Sequence, residues 1–253
     1  MANDVINEIQ FGSKEEYDKA KAAFASLDGD GNPYLDFGKI VPMPEDFEDV
    51  PASSLVDDGI ELVYAESDPK GKEDIANLLK AALIPAFIVQ DDLNELAYLD
   101  AHPEAAEELR EKIRKANDIP LEQTLEFGRK ALKNLRLYRV RNWYDWRVNN
   151  WGTKWGPEEC VFMDDDLAVS FITPWSCPLE LLIRLSELGY RFSCRYADEN
   201  LGSNCGVFAS SGDGSHTLMN QDLIKDSIGF AVHLWGYEDI YKKDENGDWV
   251  YVG

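Results

Sequence analysis

The chain has 253 residues, of which 44% are hydrophobic and 11% aromatic, enough to bury a substantial core and too many for a disordered segment. Its 25 basic residues stand against 48 acidic ones, and the net charge of −23 repels nucleic acid and anionic membrane while favouring basic partners. Apolar runs are short, Ala81–Val89 being interrupted by Pro85, so nothing approaches the roughly 20 residues of a membrane span.

Residues 4–11 alternate imperfectly with period two and predict a strand. Ser13 and Glu16 then form a capping box, and Tyr17, Ala20, Phe24 and Leu27 mark one face of a helix. The turn Asp28–Pro33 ends it, and a short strand is expected over Leu35–Val41. Residues 45–70 are acidic and punctuated by proline, which reads as an extended surface segment. From Lys72 to Tyr138 the pattern is helical. Its stripes are Ile75, Leu78, Leu79, Ala82 and Leu83, then Ala106, Leu109 and Ile113, then Leu121, Leu125, Gly128, Leu132 and Leu135. Past the aromatic stretch 142–155, strand signals return over 168–175 and 190–196 and near 205–210. Helices are expected after Pro178 and over 223–234, and Asn246-Gly247 signals a closing hairpin. This order predicts an α+β protein: a mainly antiparallel, ferredoxin-like sheet with helices on one face and a helical insertion. The expected division is 1–50 for the first β-α-β part, 51–141 for the acidic segment and helical insertion, and 142–253 for the second α+β part.

Charge is uneven. Residues 1–100 carry 23 acidic and 7 basic side chains, whereas 101–150 carry 8 and 11. Acidity alone keeps a protein soluble; the sharper reading is an acidic face, including Asp46, Glu48, Asp49, Asp57 and Asp58, that docks on a basic protein or imitates nucleic acid.

No catalytic motif is found. Asp28–Lys39 resembles a calcium loop, yet Pro33 occupies the place of the turn glycine and Lys39 that of the bidentate glutamate, which favours a plain turn. Cys160, Cys177, Cys194 and Cys205 are too far apart for paired zinc ligands and read as reduced thiols; His102, His216 and His233 are scattered. No metal and no cofactor are expected. Trp143, Trp146, Trp151 and Trp155 cluster within thirteen residues; packing of the insertion onto the sheet is the preferred reading, with stacking of bases or sugars the competing one. The densest polar group runs from Tyr196 through Asp198, Glu199 and Asn200 to Asn204. It reads as a turn, with acid–base or ligand chemistry beside Trp146 as the alternative.

Several strings occur together: Ile40-Val-Pro-Met-Pro44-Glu45 after Asp36-Phe37, Trp143-Tyr-Asp-Trp146, Asn150-Trp-Gly-Thr-Lys-Trp155, Thr173-Pro-Trp175 and Tyr196-Ala-Asp-Glu199. Through them the chain resembles the Api92-like family of phage and plasmid proteins, with residues near 50–137 as the variable part. The resemblance implies a ferredoxin-like C-terminal part and a mobile-element setting in the bacterial cytoplasm; it implies no activity and no catalytic residue. The N-terminal residues lack the basic region and apolar core of a secretion signal, in keeping with that location. The expected function is an accessory protein that binds and modulates a host or phage protein through its acidic surface, as a nucleic-acid mimic or defence inhibitor. It would contact no nucleic acid or membrane directly. The alternative is an enzyme or small-ligand binder using the Tyr196–Asn204 turn.

Overall fold

A computed structural model describes residues 3–116 and 119–253. The chain divides into two compact units, one formed by residues 1–42 and 150–253 and the other by 43–149. The divisions fall at 42/43 and 149/150, because most of the aromatic helix after Asn142 belongs to the insertion.

The first unit contains β1 (Asp4–Phe11), α1 (Lys14–Phe24), β2 (Ala25–Leu27), β3 (Pro33–Leu35) and α2 (Phe37–Ile40). The second holds α3 (Ser54–Glu66), α4 (Pro69–Lys80), α5 (Ala86–Ala101), α6 (Ala105–Ala116), α7 (Leu121–Tyr138) and most of α8 (Trp143–Trp151). The first unit then resumes with β4 (Glu158–Met163), β5 (Ala168–Pro174), α9 (Leu179–Glu187), β6 (Arg191–Asp198), β7 (Gly206–Ser211) and β8 (His216–Asn220). It ends with α10 (Ser227–Trp235), β9 (Tyr241–Lys243) and β10 (Trp249–Tyr251).

Among the described residues, six strands form an antiparallel sheet in the order β4-β5-β1-β6-β7-β8. β1 lies between β5 and β6, pairing Asp4 with Pro174 and Val5 with Asp198. The alternation in β1 buries Val5, Asn7, Ile9 and Phe11 on one face, where Phe171, Phe192 and Phe208 from neighbouring strands are also buried. Ile6 and Ala197, one residue out of step, pack with Ala231 and Leu234 of α10. Ser13 caps α1 by accepting the Glu16 amide at 3.2 Å, and Gly236 ends α10 at φ 69°. The hairpin β9–β10 turns at Gly247, φ 87°.

Several segments differ from the sequence reading: Leu27, expected on the face of the first helix, lies exposed in β2, and β4 and β8 are strands that the sequence reading lacks. The strand expected over Leu35–Val41 is β3 followed by α2, because Asp36 caps a helical turn by accepting the Gly38 amide at 2.9 Å. Residues 54–66 are helical rather than extended. Val56, Ile60 and Tyr64 repeat every four residues and join Ile75, Leu79, Leu96, Leu132 and Leu135 in the core of the second unit. That core is set by a close helix crossing: a Cβ on Gly59 would lie 2.2 Å from the Thr124 carbonyl oxygen, and one on Gly128 would lie 2.2 Å from the Gly59 carbonyl carbon. Only hydrogen at both positions lets α3 and α7 approach so closely.

The string Asn150-Trp-Gly-Thr is structural. Trp151 is buried, donates Nε1–H to the Val41 carbonyl at 2.9 Å and meets Phe37 edge-on at 5.8 Å. Gly152, at φ 81°, has no room for a Cβ, which would stand 2.9 Å from the Leu179 nitrogen. Thr153 is buried and donates to the Pro174 carbonyl at 3.3 Å.

Candidate acidic groove

The five acidic residues singled out in the sequence separate into two groups. Glu48 and Asp49 are exposed, and Asp49 meets Lys130 at 3.3 Å. Asp46, Asp57 and Asp58 are half-buried, contrary to the exposed face expected of them. Asp46 accepts from Lys133 and, at 2.8 Å, from the Tyr138 hydroxyl, and these bonds lower its pKa. Asp57 pairs with the Arg141 guanidinium at 2.7 Å. Arg141 is buried and also reaches Asp92 at 3.4 Å and Asp145 at 3.5 Å. Three carboxylates thus share one cation. Burial raises the pKa of each, and Asp92 is pushed up to about 6. The basic residues of the insertion therefore partly neutralise acids of the same unit.

Asp58 opens onto a groove of about 620 Å³ walled by α3, α5 and α6. Its acidic lining is Asp57, Asp58 and Glu61 from α3, Glu95 from α5 and Glu108 from α6, with apolar surface from Leu99 and Leu109. Lys112, 4.0 Å from Asp58, is the basic residue in the lining. The helical period places Asp57, Asp58 and Glu61 on neighbouring positions of α3, and α5 and α6, which pack against α3, add the other two acids. Burial, then Asp58, Glu95 and Asp57, push the Glu61 carboxyl up to about 7. Carboxylates crowded in this way repel one another, and that repulsion adds to burial in holding the Glu61 proton.

The Tyr196–Asn204 group is arranged differently. Tyr196 is buried, its ring against Gly206, with a hydroxyl pushed up to about 12 by burial and by Cys177, Cys205 and Cys194. Asp198 is buried and accepts from Asn3 Nδ2 at 3.2 Å, the Asn200 amide at 2.8 Å and Asn204 Nδ2 at 3.4 Å. Its carboxylate is occupied in closing the turn. Glu199 is exposed and accepts the Asp4 amide at 3.2 Å; Asn200 Nδ2 reaches Ser203 Oγ at 3.4 Å. Trp146 belongs to the other unit, where it is buried against Phe47 with ring centroids 6.2 Å apart. Trp155 and Trp175 are instead the tryptophans exposed on the sheet unit.

The Asp28 loop is a backbone turn in which Asp28 Oδ1 accepts the Asp30 and Asn32 amides at 2.9 and 2.8 Å. The four cysteines are free thiols, and burial raises the pKa of Cys160, Cys177 and Cys205. Among the described residues no helix is long and apolar enough to cross a membrane.

Residues 150–232 match the family model described as the ferredoxin-like domain in Api92-like protein. A crystal structure of a protein api92 from Yersinia pseudotuberculosis aligns over 86% of this chain and 96% of that one, with 11% identity and a TM-score of 0.37. No match is found among curated proteins.

Proposed function

For a chain that carries the ferredoxin-like domain of Api92-like proteins over residues 150–232, we propose the role of an accessory protein of a phage or plasmid that binds and modulates a basic host or phage protein. The observation that carries the reading is the groove of the helical unit, where five carboxylates and a single lysine line an apolar floor. A cationic amphipathic segment is the chemical complement of that surface. Imitation of nucleic acid, or inhibition of a defence protein that binds nucleic acid, is the finer form of the same idea, since such partners are basic.

The test compares the wild-type chain with a triple variant, Asp58→Asn, Glu95→Gln and Glu108→Gln, each immobilised and exposed to bacterial lysate at low and high salt. Asp57 is left intact because it also pairs with Arg141. The expected result is a basic protein retained at low salt, released by salt, and associating more slowly with the variant. A column that retains no basic protein, or a partner held equally by both chains, refutes the reading.

A further inference from the structure

The sheet unit presents a second surface, apart from the groove. Trp155 and Trp175 are 42% and 50% exposed, and the Lys154 ammonium lies over both rings, 3.7 Å from the Trp155 centroid and 4.0 Å from that of Trp175. One cation is thus shared by two half-exposed indoles.

The backbone holds Trp175 in an unusual conformation. Its φ is 68°, in the left-handed region that a glycine enters without strain and a tryptophan does not. Hydrogen bonds fix it from two sides: its amide donates to the Asn3 carbonyl at 2.7 Å, and its carbonyl accepts from Asn204 Nδ2 at 3.0 Å. Asn204, itself at φ 41°, is tied to Asp198. The polar turn therefore braces Trp175, although a half-exposed ring adds less to the core than a buried one. The pairing of Asp4 with Pro174, and the bond from the Glu199 amide to the Asp4 carbonyl at 2.8 Å, bring two exposed carboxylates to the same end of the sheet.

We propose that Trp155 and Trp175 form a binding site for an arginine side chain of a basic polypeptide, and that Lys154 is its tethered competitor. The space against the indoles already accommodates a cation. A guanidinium is flat and less strongly hydrated than an ammonium, so it stacks on an indole face at a smaller desolvation cost. Asp4 and Glu199 supply negative charge at the same sheet end. Binding exchanges Lys154 for the incoming arginine and returns the lysine to water.

The test follows the indole Nε1–H resonances of Trp155 and Trp175 in the full-length chain during titration with N-acetyl-argininamide at low salt, with N-acetyl-lysinamide as the comparison. Both signals should shift, more strongly with the arginine probe. Lys154→Met should tighten arginine binding about two- to fivefold, the order expected from removing a competing surface cation–π contact. Trp175→Gly should abolish the Trp155 shift while its urea midpoint stays at or above that of the parent, because glycine accepts the backbone angle. The groove triple variant should leave the shifts unchanged, which separates this site from the one proposed above. Absent shifts in both the parent and Lys154→Met, equal affinity of those two chains, or an undiminished Trp155 shift in Trp175→Gly would each overturn the proposal.

Discussion

Substituting Gly128 by alanine opposes two effects of known sign. In isolation the change favours the helix, since alanine is better than glycine in a helix interior by about 1 kcal/mol. The crossing with α3 works against it: the new Cβ would stand 2.2 Å from the Gly59 carbonyl carbon, 2.3 Å from its oxygen and 2.6 Å from the Ile60 nitrogen. These are backbone atoms, so no side chain can rotate away. The helices must separate by about 1 Å, which loosens the contacts of Val56, Ile60, Leu132 and Leu135 along the seam. Overpacking of this kind costs about 3 kcal/mol at the upper end of its usual range, leaving a net loss of about 2 kcal/mol. For a chain of this length that corresponds to a fall of about 4–8 °C in Tm. Urea and thermal unfolding followed by far-UV circular dichroism measure it, with Gly156→Ala as control, since a Cβ there meets nothing within 4 Å. A Gly128→Ala chain as stable as its parent, or more so, would refute the close-crossing argument.

Trp151→Ala should destabilise the sheet unit by about 3–5 kcal/mol, as truncation of a buried aromatic does; a loss below 1 kcal/mol in the urea midpoint analysis counts against it. The Glu61 carboxyl provides a pH signature. Its folded pKa, about 7, lies above the unfolded value near 4.5, so the folded state retains a proton that the unfolded state has lost. Its contribution is fully present below the lower value and disappears as pH rises through the upper one. Glu61→Gln should therefore flatten that decline and stabilise the chain at pH 8 relative to its parent, by on the order of 1 kcal/mol after allowance for water access. Parallel pH–stability curves for the two chains would show that Glu61 does not carry this effect.

Where side chains alternate or recur on one face, the sequence was readable. β1, the Ser13 cap, β5, β6 and the final hairpin all follow from such local signals. The misread parts have identifiable causes. α3 is hidden because Pro42, Pro44 and Pro51 precede it and Asp57, Asp58, Glu61 and Glu66 make it read as an acidic surface segment, although Val56, Ile60 and Tyr64 keep the helical interval. β4 and β8 are the edge strands of the sheet; β8 is exposed along its whole length and β4 carries a register irregularity between Glu158 and Val161. Strands that bury little show little alternation. The groove was only half visible. Asp57 and Asp58 are legible as adjacent acids, whereas Glu61 requires the helical period and Glu95 and Glu108 require the packing of α5 and α6. In the aromatic segment, spacing separated neither buried Trp151 from exposed Trp155 nor the structural turn at Asp198 from the tryptophan it braces.

The central position of β1 also governs the order of events during synthesis. This strand is made first, yet both of its partners, β5 and β6, lie more than 150 residues downstream. At the usual 5–20 residues per second, roughly 10–40 s pass between the emergence of β1 and completion of β6. The helices of the insertion, whose contacts lie within residues 43–149, are complete before the sheet can close. For that interval Val5, Ile9 and Phe11 remain without their final neighbours, an apolar strand on a nascent chain. The acidic residues that follow it in the first hundred positions keep that unfinished chain repelled from its own copies, so the charge serves the protein before it has a folded surface to display.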